Sequence, residues 1–383
     1  MSTVETNSDS GVNVLITTYP QNGSRNVGDA LISDSAVKLI RYRVPEYDPM
    51  IVFRESSLDH IQGNVRTILA PGFSVNDKVY PNLFKLYDDI GRLPEAFFPV
   101  GCSFQHLVPL EQTYVNHEYS EETLSFLRSV ARRSGPLPCR DLLTVEMLKR
   151  NKIPAFYCGD LALYDDTMIG THFSPPTDIK SVVFTIQHKP KFAQQSFAML
   201  DLIKSEFPKA TLYVAHHSRI NEYSRTISEY ATKIGFVEKD LSGSAQNLDF
   251  YDEVDLHIGY RLHGHISFLR RRKPSCLLVE DSRSFGISST GSLGLGAIFA
   301  LHADAVTVDQ DAPKRLIQFL RRQIALSFED YREVFTFIDK TYGNIVRPYF
   351  DLLCYRMGFG ILGLKYSYNC VVALRLNRIH EKL

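Results

Sequence analysis

The chain has 383 residues, more than one hydrophobic core ordinarily supports, and its 44% hydrophobic and 22% charged residues are those of a folded globular protein. Lys+Arg and Asp+Glu both number 43, so no global field draws nucleic acid or an anionic surface, and any anion site must be local. The six cysteines (Cys102, Cys139, Cys158, Cys276, Cys354, Cys370) form no Cys-x-x-Cys pair, which speaks against a zinc knuckle or a thioredoxin-like site.

Residues 1–11 are polar and acidic, without the basic start and apolar core of a secretory signal. No stretch reaches the uninterrupted apolar length of a membrane-spanning helix, and the scattered thiols read as small buried hydrophobes, so a cytoplasmic setting is expected. Val12–Thr17 reads as a buried strand, because β-branched residues dominate a short run bounded by turn formers. A polar loop over 18–28 leads into a helix over 30–40, with Asp29 at its start. Strands are expected at 51–53, 67–70 and Phe97–Val100, and helices at 121–132 and 141–150. Strands spaced by such helices imply βαβ units and a parallel sheet.

Apolar periodicity lapses over 165–180, where Pro175-Pro176 punctuates an interdomain linker. The pattern then restarts: strand 181–186, helix 192–206, strand 211–215, helix 220–233, strand 255–258, a helix from about His265 and strand Ser275–Val279. The expected architecture is α/β, with two doubly wound, Rossmann-like domains (1–170 and 180–340) facing a cleft. A tail over 341–383 mixes Phe350, Leu353, Phe359, Ile361 and Leu364 with Arg347, Arg356, Lys365, Arg375, Arg378 and Lys382. It reads either as an interfacial segment touching anionic lipid or as a helix packing back over the first domain.

Residues 255–264 (DLHIGYRLHG) carry the strongest chemical signal. Arg261 and His263 lie two apart, past a strand end and near a helix start, where backbone N–H groups already favour an anion. Arginine supplies a planar fork for carboxylate or phosphate, and histidine moves a proton near neutral pH. The plain structural alternative pairs Arg261 with Glu253 or Asp255. Asp29 reads as a helix cap or as a base, and Arg140 as an anion ligand or as a partner of Asp141 or Glu146. His216-His217 follow a strand, as a sugar contact or a surface loop pair. Arg270-Arg271-Arg272-Lys273 reads as a solvated helix C-terminus, where cations suit the dipole. The hydroxyl-rich loop over 288–296 reads as a flexible element able to close on phosphate through its N–H groups, but it is no P-loop. No metal-ligand cluster is apparent.

The stretch 255–264 resembles the Arg-Leu-His-Gly signature of the polysaccharide pyruvyl transferase family. Asn26-Val27-Gly28-Asp29 is similar to that family's early Asn-x-Gly-Asp element. Cys139-Arg140-Asp141 with Leu148 and Gly159-Asp160-Leu161-Ala162-Leu163 is similar to its Arg-Asp…Leu…Asp-x-x-Leu segment. Glu280-Asp281-Ser282-Arg283 matches the stretch after the penultimate strand, with Arg283 where lysine is common. Pro71-Gly72-Phe73-Ser74 departs from the expected glycine-rich turn by holding one glycine only. The similarity runs in order from about residue 12 to 300. It implies a fold like that of the two-domain (GT-B) glycosyltransferases, with an acceptor-side first domain and a donor-side second domain. The implied reaction moves the enolpyruvyl unit of phosphoenolpyruvate onto two hydroxyls of a cell-envelope or exopolysaccharide sugar, forming a ketal without a further cofactor. The acceptor would be lipid-linked at the inner membrane face. His263 would act as general acid, Asp29 as base, and Arg261, Leu262, Arg140, Arg283 and Asn26 would hold substrate. Two alternatives stay open: a nucleotide-sugar glycosyltransferase, with Glu280 or Asp281 on the ribose, or a non-catalytic glycan-binding member.

Overall fold

The computed structural model describes residues 11–17, 19, 23 and 25–359. Cys370 and the tail cations Lys365, Arg375, Arg378 and Lys382 lie outside the described residues.

Two parallel sheets organise the chain. The first contains β1 (Val12–Thr17), β2 (Met50–Phe53), β3 (Val65–Pro71) and β4 (Phe97–Val100), in the order β2-β1-β3-β4. A bridge from Cys102 to Cys139 extends it to the parallel pair β5 (Leu137–Cys139) and β6 (Ala155–Tyr157). The second contains β7 (Ser181–Thr185), β8 (Thr211–His216), β9 (Val237–Asp240), β10 (Leu256–Gly259), β11 (Ser275–Val279) and β12 (Ala297–Phe299), in the order β12-β11-β10-β7-β8-β9. Strand order therefore reverses between β1 and β3 in one sheet and between β7 and β10 in the other, and ligands of such sheets bind beyond the strand ends at those reversals. Almost every residue of β1, β3, β4, β7 and β11 is buried, which is why their sequence reads as continuous apolar runs.

Two helices begin earlier than the sequence suggests, and both shifts matter for the site. The first runs Val27–Arg41, capped by Asn26, whose side-chain oxygen accepts the Gly28 N–H at 3.2 Å. Asp29 is therefore in the first turn rather than at the cap. The other runs Leu262–Arg270 with Arg261 at its cap position, so His263 lies in the first turn rather than in a loop ahead of the helix.

The basic run is not solvated. Arg270 is buried, holding Asp165 at 2.6 Å and the Ser35 hydroxyl at 3.1 Å, and so ties the second sheet's helix to the linker and to the first helix. Arg272, also buried, holds the Met168 carbonyl at 3.0 Å and pairs with Asp339. Lys273 donates to the carbonyls of Tyr251, Asp252 and Val254. Cations here saturate backbone and linker oxygens instead of facing water.

After the second sheet, helix Tyr331–Thr341 packs through the Tyr331 hydroxyl on the Ser275 carbonyl at 2.7 Å. A widened π turn, Tyr342–Val346, then redirects the chain into helix Arg347–Arg356 on the first lobe. There Arg43 pairs with Asp351 at 2.6 Å, and Arg356 donates to the carbonyls of Arg133 (2.7 Å) and Ser134. As far as Phe359, the tail packs back over the first domain. Among the described residues, no helix is long and apolar enough to cross a membrane.

Candidate functional site

The site begins with a glycine. Gly259 ends β10 at φ 152°, and a Cβ there would lie 2.3 Å from the Thr185 hydroxyl oxygen, so only glycine lets β10 lie this close to β7. Thr185 then receives the next two backbone N–H groups: Tyr260 on its carbonyl (3.2 Å) and Arg261 on its hydroxyl (3.3 Å). The turn is fixed, and Arg261 projects across to the first lobe.

The Arg261 guanidinium donates to Asn26 Oδ1 (2.9 Å), Ser218 Oγ (2.9 Å) and His188 Nδ1 (2.7 Å). It does not pair with Asp255, which instead accepts from Lys180, Ser181 and the Ser181 hydroxyl. Among the described residues, its Nε–H and one Nη1–H remain uncommitted. Asn26 thus steadies Arg261 with the oxygen that also caps the first helix. His188 must be neutral to accept from an arginine. Lost hydration and then the Arg261 charge hold it down, to about 4.

Asn26, Arg261, Leu262, His263, Glu280 and Arg283 line a narrow cleft that also reaches Asp281, Tyr260 and His217. The N–H groups opening helix Leu262–Arg270 lack intrahelical partners and carry the positive end of its dipole.

His263 sits at the lobe junction. Its Nε2 lies 3.4 Å from Asp160 Oδ2, an ion-pair distance longer than a good hydrogen bond. On the other side its ring rests on the backbone of Gly28: a Cβ there would meet Nδ1 at 2.2 Å. Arg140 approaches the same Asp160 oxygen at 3.7 Å, and all three side chains are buried. Arg140 makes no bond to Asp141 or Glu146; its Nε and Nη2 are buried without partners. Asp141 instead caps helix Leu142–Arg150. Burial opposes the charge on Asp160, but His263, Arg140 and the Ala162 N–H outweigh it and hold the carboxyl below its usual range. Arg140 therefore stands behind Asp160, which in turn holds His263.

Arg283 reaches the cleft with its charge already matched. Its Nε (2.9 Å) and Nη2 (2.7 Å) both donate to Asp281 Oδ2, and each partner strengthens the charged form of the other. Asp29, half-buried in the first turn of its helix, is close enough to feel both Arg261 and Arg283. His216 and His217 are buried rather than a surface pair. His216 meets Glu238 at 2.8 Å, while His217 bonds the Tyr251 hydroxyl and its carbonyl accepts the Val27 N–H at 2.9 Å. The loop over 288–296 is packed: Thr290 is buried, donating to Gly286 O at 2.8 Å and accepting the Leu142 N–H at 3.3 Å. Among the described residues, no group of three or more His, Cys, Asp or Glu is arranged to hold a metal.

His188, Ser218 and Asp160 belong to the site without having been singled out as site residues from the sequence. Asp160 had a signal, since it sits in the Gly-Asp-Leu segment quoted above. His188 and Ser218 had none, because only the fold brings the loops after β7 and β8 to Arg261.

The family model for polysaccharide pyruvyl transferase matches residues 26–282. No curated protein matches the chain. Among solved structures, it is similar to S. aureus MnaA determined with UDP, at a TM-score of 0.51 and 11% identity over 89% of this chain and 97% of that one. That likeness shows the fold, the two-domain GT-B-like arrangement described above. HepE of Anabaena, determined with UDP and glucose, gives a TM-score of 0.40 and 12% identity over 96% and 99% of the two chains. A Streptococcus pneumoniae structure of accessory secretory protein 1, 2 and 3 gives 0.40 and 10%, over 70% of this chain and only 51% of that one, so the chain spans about half of it.

Proposed function

Because the chain belongs to the polysaccharide pyruvyl transferase family, we propose that it moves the pyruvyl unit of phosphoenolpyruvate onto two hydroxyls of an envelope or exopolysaccharide sugar as a ketal. The acceptor is lipid-linked at the inner face of the cytoplasmic membrane. In this reaction the methylene carbon gains one proton and becomes a methyl group. Two sugar oxygens bond the central carbon, and the bond to phosphate breaks with its electrons on the departing oxygen. Of the two hydroxyl protons, one is accounted for by the methyl group and one by phosphate.

One observation carries the reading: Arg261, anchored by three acceptors, keeps N–H groups uncommitted beside the open end of helix Leu262–Arg270 and beside His263. Positive charge and aligned N–H groups suit a small frame bearing carboxylate and phosphate. Asp160 steadies His263 through Nε2, and a protonated imidazole then donates to the leaving phosphate. Asp29 serves as base for an acceptor hydroxyl. Arg140 acts through Asp160, and Arg283 contributes a charge tempered by Asp281.

The test is a thermal-shift titration with phosphoenolpyruvate, UDP, GDP and CMP, since a ligand that binds the native state raises its apparent stability. Phosphoenolpyruvate raises the melting temperature of the wild type and leaves Arg261→Ala unmoved. A response to a nucleotide alone replaces the reading with a glycosyltransferase, and silence to all four favours a non-catalytic glycan-binding protein.

A further inference from the structure

Forming a ketal strips protons from two hydroxyls, and Asp29 accounts for one of them. We propose that Glu280 takes the proton from the other attacking hydroxyl, with Gln187 and Lys189 holding one of its oxygens while the second opens on the cleft. The inference rests on the donor reading above and deepens it.

Glu280 directly follows β11, at the strand ends where this fold places its ligands. Its backbone N–H is fixed on the Ser284 hydroxyl at 3.1 Å. The carboxylate is used on one side only. Gln187 Nε2 and Lys189 Nζ (3.2 Å) both donate to Oε2, and Gln187 is itself steadied by the Lys189 N–H on its amide oxygen. Among the described residues, Oε1 has no hydrogen-bond partner, although the residue is buried. Oε1 itself is not buried, so it is the oxygen open to the cleft. Glu280 lines the same cleft as Arg261 and His263, with one oxygen anchored and one left over.

Lys189 is the cation paired with the anchored oxygen, and the acidic group acting on it is Asp281, whose own charge is matched by Arg283. Burial first, and then the Asp281 charge, hold the Glu280 carboxyl above its usual range despite Lys189, Gln187 and Arg261. A carboxylate so held accepts a proton more readily than an exposed one. In the step, the acceptor O–H bond breaks and its proton passes to Oε1. The freed electron pair forms the oxygen bond to the central carbon of the donor, from which phosphate departs with its own electron pair.

The test uses the full chain, phosphoenolpyruvate, and p-nitrophenyl galactoside and glucoside as surrogate acceptors, with phosphate release and the mass of the ketal as readouts. Glu280→Gln lowers kcat by roughly 10²-fold or more and flattens the acidic limb of its pH profile, while the phosphoenolpyruvate-induced melting shift stays; Glu280→Asp restores part of the rate. A Glu280→Gln protein that keeps the melting shift and turns over at the wild-type rate overturns the role of Glu280 alone. A wild type whose melting temperature ignores phosphoenolpyruvate overturns the donor reading, and this inference with it. A second measurement needs no acceptor: a carbon-13 NMR titration in which the Glu280 carboxyl titrates at or below the ordinary value of about 4.3 overturns the proposal, and titration above it supports it.

Discussion

At Gly28 the whole site turns on the absence of one carbon. The residue lies in the first turn of helix Val27–Arg41, where any amino acid could be helical, so its backbone angles do not demand glycine. What demands it is His263: a Cβ at Gly28 would lie 2.2 Å from Nδ1, 2.7 Å from Cγ and 3.0 Å from the His263 Cβ, all closer than ordinary contact. The imidazole cannot yield easily, because its other edge faces the buried Asp160 at 3.4 Å, itself backed by Arg140. Gly28→Ala therefore displaces the ring by a fraction of an ångström to an ångström. Overpacking of this kind costs about 1–3 kcal/mol of stability, and a misplacement of about 1 Å at a reacting group lowers turnover by up to roughly 10²-fold. The kcat for phosphate release, compared with the denaturation midpoint, separates the two effects; a wild-type kcat would mean that the ring does not need this seat. The same residue shows what sequence can reveal. Asn26-Val27-Gly28-Asp29 was legible as a motif, yet capping was assigned to Asp29, because Asp is a common cap, whereas the cap is Asn26 and the glycine exists for a histidine 235 positions further along the chain.

Helix Val27–Arg41 and helix Leu262–Arg270 belong to different sheets but act as one joint. Val27 N–H meets the His217 carbonyl, Asn26 meets Arg261, and Ser35 and Asp165 meet Arg270. These contacts close the lobes along one edge of the cleft, and the last of them is sensitive to pH. Burial disfavours a charge on Asp165, but the Thr167 hydroxyl and Arg270 outweigh it and bring the carboxyl down to about 2. Its unfolded value is about 3.9, so the folded state holds fewer protons between those limits. The stabilisation is thus complete above about 4 and fades as pH falls toward 2. Asp165→Asn is expected to cost about 1–2 kcal/mol at neutral pH and to lose less than the wild type on acidification through that window. Urea denaturation at pH 7 and pH 3 measures both numbers, and equal acid sensitivity in the two proteins would assign the window to other carboxylates. Sequence pattern read Arg270 as solvated because four cations in a row at a helix end usually are, and nothing local announces that Asp165, 105 residues earlier, comes back to meet it.

Across the whole molecule, legibility followed element length and burial. The buried strands β1, β4, β7 and β11 stand out as short, mostly apolar runs, while β5 (Leu-Pro-Cys), β6 and β12 have three residues each and β9 (Val-Glu-Lys-Asp) is a charged edge strand, too short or too polar to show a period of two. The two readings of the tail could not be separated by sequence, since large apolar residues beside arginines suit a lipid surface and a protein surface alike. Packing decides it as far as Phe359. Tyr349, Phe350, Leu353 and Met357 are buried against the first lobe, Arg43 and Asp351 pair beside them, and Arg356 covers the carbonyls that end helix Glu121–Ser134. Four such side chains contribute about 1.5–3 kcal/mol each, roughly 6–12 kcal/mol together, as much as the entire net stability of a typical domain, about 5–15 kcal/mol. Removing residues 348–383 therefore yields a chain that aggregates or unfolds, because the first sheet loses its cover. Removing only 360–383 leaves those side chains in place, so the truncated protein is expected to fold, with a single cooperative denaturation transition as the check. If the shorter truncation is stable yet no longer pellets with anionic vesicles that the full chain binds, lipid contact belongs to the last two dozen residues alone. A longer truncation that folds normally would instead mean that helix Arg347–Arg356 is a passenger on the first lobe rather than part of its core.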